Sequence, residues 1–198
     1  MHPAILILEF ESIAIGIDAG DAMAKQATLS SLHTGSVQPG KYLVLAGGDV
    51  GEVEEARTAG KERGGSALLD EIYLPEVHGD VIEALTGKRQ PSVREALGIV
   101  ETKTVPAVIG AADAGIKSAN VKILEIRIAD GLGGKGYVLF SGRLHDVEAA
   151  VEQAVATLGS RDQLIARVVI PNLHQEMLEN LESNPEFVPR ARSYSSKR

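Results

Sequence analysis

The 198-residue chain contains no cysteine and no tryptophan, and aromatic residues make up only 4% of it. Without cysteine the chain can form no disulfide, offer no thiolate to zinc or an iron–sulfur cluster, and use no thiol nucleophile. Hydrophobic residues still make up 44% of the sequence, an ordinary share for a globular protein. The core must therefore be built mainly from Ala, Val, Ile and Leu.

The chain also lacks a basic surplus and a long apolar run. It has 20 Lys and Arg against 27 Asp and Glu, a formal net charge of -7, which does not favour nucleic acid as a partner. The apolar run at 4–8 is too short to span a membrane, and no basic segment precedes it. We therefore expect no signal peptide, no membrane partner and a cytoplasmic location.

The strongest feature of the sequence is an internal repeat. The residues ILILE at 5–9 match LGIVE at 97–101, an offset of 92 residues. Further matches follow in order at offsets of 92, 94 and 96: Asp21 and Asp113, Lys25 and Lys117, Gly40 and Gly134, Gly48 and Gly142, Pro75 and Pro171, His78 and His174. The offset grows only between matched blocks, as insertions in loops would cause. Duplication therefore predicts a first domain over 1–88 and a second over 93–182.

Each copy is predicted to have the order βαββαβ followed by a short helix. Apolar and β-branched runs predict strands at 5–10, 29–35, 41–46 and 67–74 of the first copy. This order is typical of an α+β, ferredoxin-like domain, an antiparallel sheet with helices on one face. The last segment, 183–198, has no apolar period and is expected to be a disordered tail.

Residue spacing also predicts details of the helices. On the first helix of each copy, one stripe of small and apolar residues is expected to face the sheet: Ile17, Gly20, Ala24 and Ala27, then Ile109, Ala112, Ile116 and Ala119. Before the second helix, Asp49 and Glu52 have the spacing of a capping box. Thr104 is expected to be the N-cap of the first helix of the second copy.

No residue set predicts catalysis or a metal site. Residues 131–136 match G-x-G-x-x-G, but a strand follows where a phosphate-binding loop needs a helix N-terminus. His78 and His174 lack a second histidine at ligand spacing, so we expect them to cap or pack the terminal helix. The repeated Glu9 and Glu101 are expected to make structural hydrogen bonds rather than to act as acid and base. We predict no enzyme activity, no metal and no cofactor.

Several segments resemble the bacterial microcompartment shell domain. In the second copy they are ALGIVET at 96–102, AADAGIKSANV at 111–121 and VVIPNLH at 168–174. The first copy has related residues around Asp21 and Gly48, and the resemblance covers nearly all of 4–182. Two domains in one chain resemble the tandem-domain, trimer-forming type. The unpermuted element order is similar to that of the tandem shell protein of propanediol-utilisation compartments.

The resemblance implies a homotrimer shaped as a pseudohexamer, packed beside hexameric and pentameric proteins in a shell in the bacterial cytoplasm. A central pore would pass small metabolites. Carried over from the family, the pore-lining residues are Ser36, Val37, Gln38 and Pro39 in the first copy and Gly131, Leu132, Gly133 and Gly134 in the second. The family's lysine at the tile edge maps onto Lys25 and Lys117.

One departure from the propanediol type concerns a cofactor. In that type a cysteine of the first pore loop ligates an iron–sulfur cluster, whereas this chain has Gln38 there. Such a cluster is therefore not expected, and three Gln38 side chains would offer amide donors and acceptors to a passing solute. The alternative function is a small-molecule-binding regulatory protein, because a ferredoxin-like fold does not fix function.

Overall fold

The first strand of each domain lies inside its sheet. The computed structural model describes residues 4–90 and 95–182. In the first domain, β1 (Ala4–Phe10) is buried along its whole length and pairs antiparallel with β3 (Lys41–Gly48) and β4 (Leu68–Leu74). With β2 (Ser31–Val37) beside β3, the strand order is β2-β3-β1-β4, which is the ferredoxin-like order.

The second domain repeats this sheet. Its strands are β5 (Ala96–Thr102), β6 (Lys122–Ile128), β7 (Gly136–Gly142) and β8 (Leu164–Ile170), in the order β6-β7-β5-β8. The central strands even share an irregularity, since β1 and β5 each shift register against their edge strand one residue before they end. The predicted α+β fold with two tandem ferredoxin-like domains is confirmed.

Three helices accompany each sheet, as predicted. They are α1 (Ile13–Gln26), α2 (Val50–Gly64) and α3 (Gly79–Leu85) in the first domain, and α4 (Val105–Ser118), α5 (Leu144–Ala156) and α6 (Gln175–Glu182) in the second. The hydroxyl of Thr104 accepts a hydrogen bond from Ala107 N at the start of α4. His78 and His174 cap α3 and α6 through Nδ1, which accepts from the amides of Asp80 and Glu176.

The two cores share one framework but exchange large and small residues at matched positions. In the first domain, a Cβ on Gly16 would lie 2.6 Å from the Tyr42 ring. In the second domain the counterparts are Val108 and Gly136, and a Cβ on Gly136 would lie 2.5 Å from Val108. The glycine has thus moved from the helix to the strand. Such complementary exchange preserves the packing density that a folded core requires.

The domains are joined by a contact that we call the internal seam, in which β4 and α3 pack against α4 and β6. Val77 and Val81 from the first domain share one buried cluster with Val105 and Ile109 from the second. Ile109 is fully buried there. Apolar burial of this kind is the main source of free energy for holding two domains together.

Several hydrogen bonds to charged side chains cross the internal seam. The Glu9 carboxylate accepts from Val105 N at 2.8 Å, and the Asp113 carboxylate accepts from His78 N at 2.8 Å. Lys117 donates to the carbonyl oxygen of Glu76. Hydrogen bonds to charged groups are stronger than neutral ones, so these contacts fix the register of the two domains.

The predicted capping box at α2 is wrong. Asp49 occupies the N-cap position, but among the described residues its side chain makes no capping hydrogen bond. Glu52 instead accepts from Thr28 N at 2.6 Å, so it satisfies a backbone donor in the connection from α1 to β2. Thr28 lies 24 residues before Glu52, too far along the chain for sequence spacing to reveal the contact.

The predicted core face of α1 is also wrong in part. Its buried residues are Gly16, Ala19, Gly20 and Met23, whereas Ile17 and Ala24 are exposed. The matching stripe of α4, which includes Ile109 and Ile116, is buried because the first domain covers it. The helix therefore has two apolar stripes, one for its own sheet and one for a neighbouring domain.

Parts of the chain lie outside the described residues. They include the tail at 183–198, predicted to be disordered, and residues 91–94 between the domains. At the end of the described linker, Arg89 forms an ion pair with Glu125 at 2.7 Å and donates to Leu181 O at 2.9 Å. Within the described residues, no helix has the length and hydrophobicity needed to cross a membrane.

Candidate functional site

The two loops that the resemblance assigns to a pore touch each other within one chain. Gln38 and Pro39 are exposed in the β2–β3 loop, and Gly134 is buried in the β6–β7 loop. A Cβ on Gly134 would lie only 2.8 Å from the carbonyl oxygen of Gln38 and 3.0 Å from Pro39 Cδ. With φ at 83°, Gly134 also has a backbone conformation that favours glycine. The loops of both domains therefore contribute to one surface.

The β6–β7 loop is held by its own backbone. Ala129 N donates to Lys135 O at 2.9 Å, and Leu132 N donates to Ala129 O at 3.1 Å. Gly131 and Gly133 have positive φ and are exposed, so they present main-chain groups at the surface. In the first domain, Gln38 of the β2–β3 loop presents its amide and Ser36, near the end of β2, presents its hydroxyl. The combined surface can donate and accept hydrogen bonds, and none of the eight predicted residues carries a charged side chain.

An ion pair lies at the base of each loop. Glu9 at the end of β1 binds Lys41 with an oxygen–nitrogen distance of 2.5 Å, and Glu101 at the end of β5 binds Lys135 at 3.2 Å. Burial raises the pKa of the Glu9 carboxyl above its usual range, against the opposing effects of Lys41 and the Val105 amide. Glu9 makes the structural hydrogen bonds expected of it. Glu101 has the equivalent partner in Lys135, but its carboxylate is partly exposed.

One exposed surface of α1 matches the α4 side of the internal seam, and we call it the α1 face. Ile13 and Ile17 lie there at the positions that correspond to the buried Val105 and Ile109, and Ile17 is 53% exposed. The polar pair of the internal seam is repeated as well. Lys25 binds Asp21 at 2.5 Å, just as Lys117 binds Asp113 at 2.6 Å.

Another exposed surface, formed by β8 and α6, matches the β4 and α3 side of the internal seam, and we call it the β8–α6 edge. Val168 is 45% exposed and Met177 is 52% exposed. Their counterparts in the first domain are Ile72, which packs against the shared cluster, and Val81, which is fully buried in it. The α1 face and the β8–α6 edge thus have the composition of the two sides of the internal seam, without a covering neighbour among residues 4–90 and 95–182.

The structure places the two predicted edge lysines in different surroundings. Lys117 lies in the internal seam, where it reaches the Glu76 carbonyl. Lys25 is 75% exposed and contacts Asp21 on its own helix. Their role at a tile edge stays a prediction. Sequence reasoning missed the function of Asp113 in the seam, although its repetition as Asp21 was a visible signal.

The described residues do not suggest a metal centre. Within 4–90 and 95–182, no group of three or more His, Asp and Glu side chains is arranged to hold a metal ion. The repeated His78 and His174 act as helix caps, and the repeated Glu9 and Glu101 bind lysines. What the geometry offers is a pair of contiguous polar loops and two complementary exposed edges.

Comparison with known proteins agrees with this geometry. The model of the BMC domain matches twice, at residues 4–77 and 96–173. The chain is 42% identical to the bacterial microcompartment shell protein PduT of Citrobacter freundii over 177 residues, which cover 89% of this chain and 96% of that protein. It is 39% identical over 85 residues to the shell protein PduA of the same species, which is 42% of this chain and 88% of PduA.

A solved structure shows the same tandem arrangement. It is the crystal structure of a microcompartments protein from Desulfitobacterium hafniense, which is 39% identical, has a TM-score of 0.78 and covers 90% of this chain and 99% of its own. Agreement over both domains extends the likeness beyond the single domain. The chain therefore belongs to the BMC-domain family of bacterial microcompartment proteins and has two such domains in tandem.

Proposed function

We propose that this chain is a structural shell protein of a bacterial microcompartment, and that three copies close into a pseudohexameric ring around a pore for small metabolites. The single observation that carries this proposal is the exposure of Ile17, at 53%, where its counterpart Ile109 is fully buried. An α1 face that repeats one side of the internal seam needs the other side from another molecule. The β8–α6 edge of a second copy has that composition.

A head-to-tail contact of this kind generates either a closed ring or an open filament. If the contact between copies repeats the internal seam, the ring alternates first and second domains and contains an even number of them. Six domains, the number implied by the family resemblance, require three chains. The two domains, proposed at 1–88 and 93–182, then occupy alternate positions of the ring.

The pore is proposed where the loops meet. Contact between Gly134 and Gln38 sets the loops of neighbouring domains side by side, and a ring would place three copies of each around one axis. Selectivity of a pore follows from its width and from the groups that line it. Lined by Gln38 amides, Ser36 hydroxyls and glycine main-chain groups, the opening would favour small polar solutes.

The proposed partners are further shell proteins. PduT and PduA are both named as microcompartment shell proteins, and a flat ring of this chain would pack beside hexameric and pentameric tiles with Lys25 at its rim. The repeated polar residues of the chain, such as Glu9 and His78, are engaged in structural contacts. We therefore infer a structural role within a compartment in the bacterial cytoplasm.

The mass of the native protein tests this function. A closed trimer has a mass of about 63 kDa, three times the 20.9 kDa of one chain. We expect native mass spectrometry to show this species, and electron microscopy of concentrated samples to show flat arrays, alone or with a hexameric shell protein. A chain that stays at 20.9 kDa at every concentration, or that binds a small ligand without assembling, would overturn the proposal.

A further inference from the structure

The internal seam contains one contact in which the counterpart residues differ in size. Gly110 of α4 faces Ile72 of β4, and a Cβ on Gly110 would lie 3.1 Å from Ile72 Cδ1. That distance is too tight for a larger residue unless the isoleucine moves. The counterpart of Gly110 on the α1 face is Asp18, and the counterpart of Ile72 on the β8–α6 edge is Val168.

The exchange is complementary. Asp18 adds a Cβ and a carboxylate where the internal seam has a glycine, and Val168 lacks the δ-methyl group that lies closest to that glycine. Asp18 also has a partner of its own, since its carboxylate lies 3.5 Å from Arg63 Nε. A valine thus leaves the space that an aspartate at this position needs.

The cores of the two domains contain exchanges of large and small residues of the same kind. Gly16 and Tyr42 of the first domain become Val108 and Gly136 in the second, and each pair is in contact. Likewise, Gly115 meets Phe140 in the second domain, where the first domain has Met23 and Ala46 in one buried cluster. Both exchanges occur between residues that face each other. Within one chain, however, Asp18 and Val168 belong to different domains, and both are exposed.

A second difference separates the two seams. At the internal seam, Asp70 accepts hydrogen bonds from the Thr104 hydroxyl and from Gln163 Nε2, the latter at 2.9 Å. The counterparts of these three residues are Ala166, Ser12 and Ala67, which cannot form the same trio. An α4-type helix and an α1-type helix therefore need different edges.

We propose that Asp18 of one copy packs against Val168 of the next, and that this size-matched contact restricts the β8–α6 edge to the α1 face of a second copy of this chain. The inference rests on the proposed trimer and specifies how its copies select one another. An edge with isoleucine at the position of Val168, like the edge of the first domain, would crowd Asp18. The contact thereby favours rings in which first and second domains alternate and disfavours rings with any other domain order.

The experiment is a cycle of substitutions at the two positions. Val168→Ile adds the δ-methyl group, and we expect it to raise the concentration at which the trimer half-dissociates by about tenfold or more, because overpacking is costly. Asp18→Gly in the same chain removes the opposing Cβ and should restore assembly. Val50→Ile is the matched control, because Val50 has a similar exposure of 51% but lies on α2, outside the α1 face and the β8–α6 edge.

Analytical ultracentrifugation of the four proteins gives the result, with circular dichroism to confirm that each is folded. Recovery of the trimer in the double variant, but not in Val168→Ile, supports the contact. This inference is overturned if the wild type is a stable trimer that Val168→Ile does not weaken, or if Asp18→Gly does not restore the trimer in the Val168→Ile chain. Either result leaves the proposed function intact. A monomeric wild type would instead overturn the proposed function itself.

Discussion

Replacement of Ile17 by alanine measures the apolar part of the contact between copies. Ile17 is 53% exposed in the chain, whereas Ile109 at the matched position is fully buried in the internal seam. Full burial of an isoleucine side chain is worth about 1.5–3 kcal/mol. Burial of the remaining half would therefore stabilise each seam by about 0.8–1.5 kcal/mol, most of which Ile17→Ala removes.

A closed trimer has three such seams, so the loss adds to about 2.5–4.5 kcal/mol per ring. At about 1.4 kcal/mol per factor of ten, the association constant of three chains falls by about 60- to 1,500-fold. Because that constant carries the square of concentration, the midpoint of dissociation shifts by its square root, about 8- to 40-fold. Sedimentation velocity over a dilution series is the appropriate assay.

Two control variants separate assembly from folding. Ile109→Ala removes the same atoms from the internal seam, and we expect it to lower the free energy of unfolding by about 2–5 kcal/mol. Val50→Ala truncates a side chain of similar exposure outside the seam and should change neither property. The reasoning is refuted if Ile17→Ala leaves the dissociation midpoint unchanged, or if it destabilises the fold as much as Ile109→Ala does.

Other changes test separate parts of the structure. Gly134→Ala should push the β2–β3 and β6–β7 loops apart and cost about 1–3 kcal/mol of stability, seen as a lower melting temperature and as altered exchange of loop amides with solvent. Asp70→Ala leaves Gln163 and Thr104 without their acceptor and should cost about 1–3 kcal/mol in urea unfolding, whereas substitution of Ala166 by Ser should be neutral. Glu71 accepts from Arg57 at 2.9 Å and from Lys61 at 2.5 Å; burial opposes these bonds, but they prevail and lower the pKa of its carboxyl. Its contribution should be complete above the ordinary value of 4.5 and lost as the pH falls further, so the melting temperatures of the wild type and Glu71→Gln should converge in acid.

The order of the elements could be predicted from the sequence because each signal was local. The apolar run of β1, the β-branched run of β6 and the prolines after β4 and β8 all act on their own segments. Duplication supplied a second reading of every element. A weak signal in one copy, such as the start of α1, could be read from the stronger one at Thr104.

What the sequence left open were contacts between segments far apart in the chain. Ile17 points away from its own sheet and is exposed among the described residues, so the helical pattern alone assigned it to the wrong face. Glu52 has the spacing of a capping residue, but its hydrogen bond goes to Thr28, which lies before β2. The sequence indicated that Gly134 belongs to a glycine-rich connection between strands, but not that its neighbour is Gln38 of the first domain.

Cross-linking at two introduced cysteines tests the central claim most directly, and the absence of native cysteine makes the result easy to interpret. One preparation carries Asp18→Cys, a second carries Val168→Cys, and a short bis-maleimide is added to each alone and to their mixture. We expect a cross-linked pair only in the mixture, and a closed species of about 63 kDa when both cysteines are in one chain. Cross-links confined within single chains, or an open ladder of longer products, would contradict it.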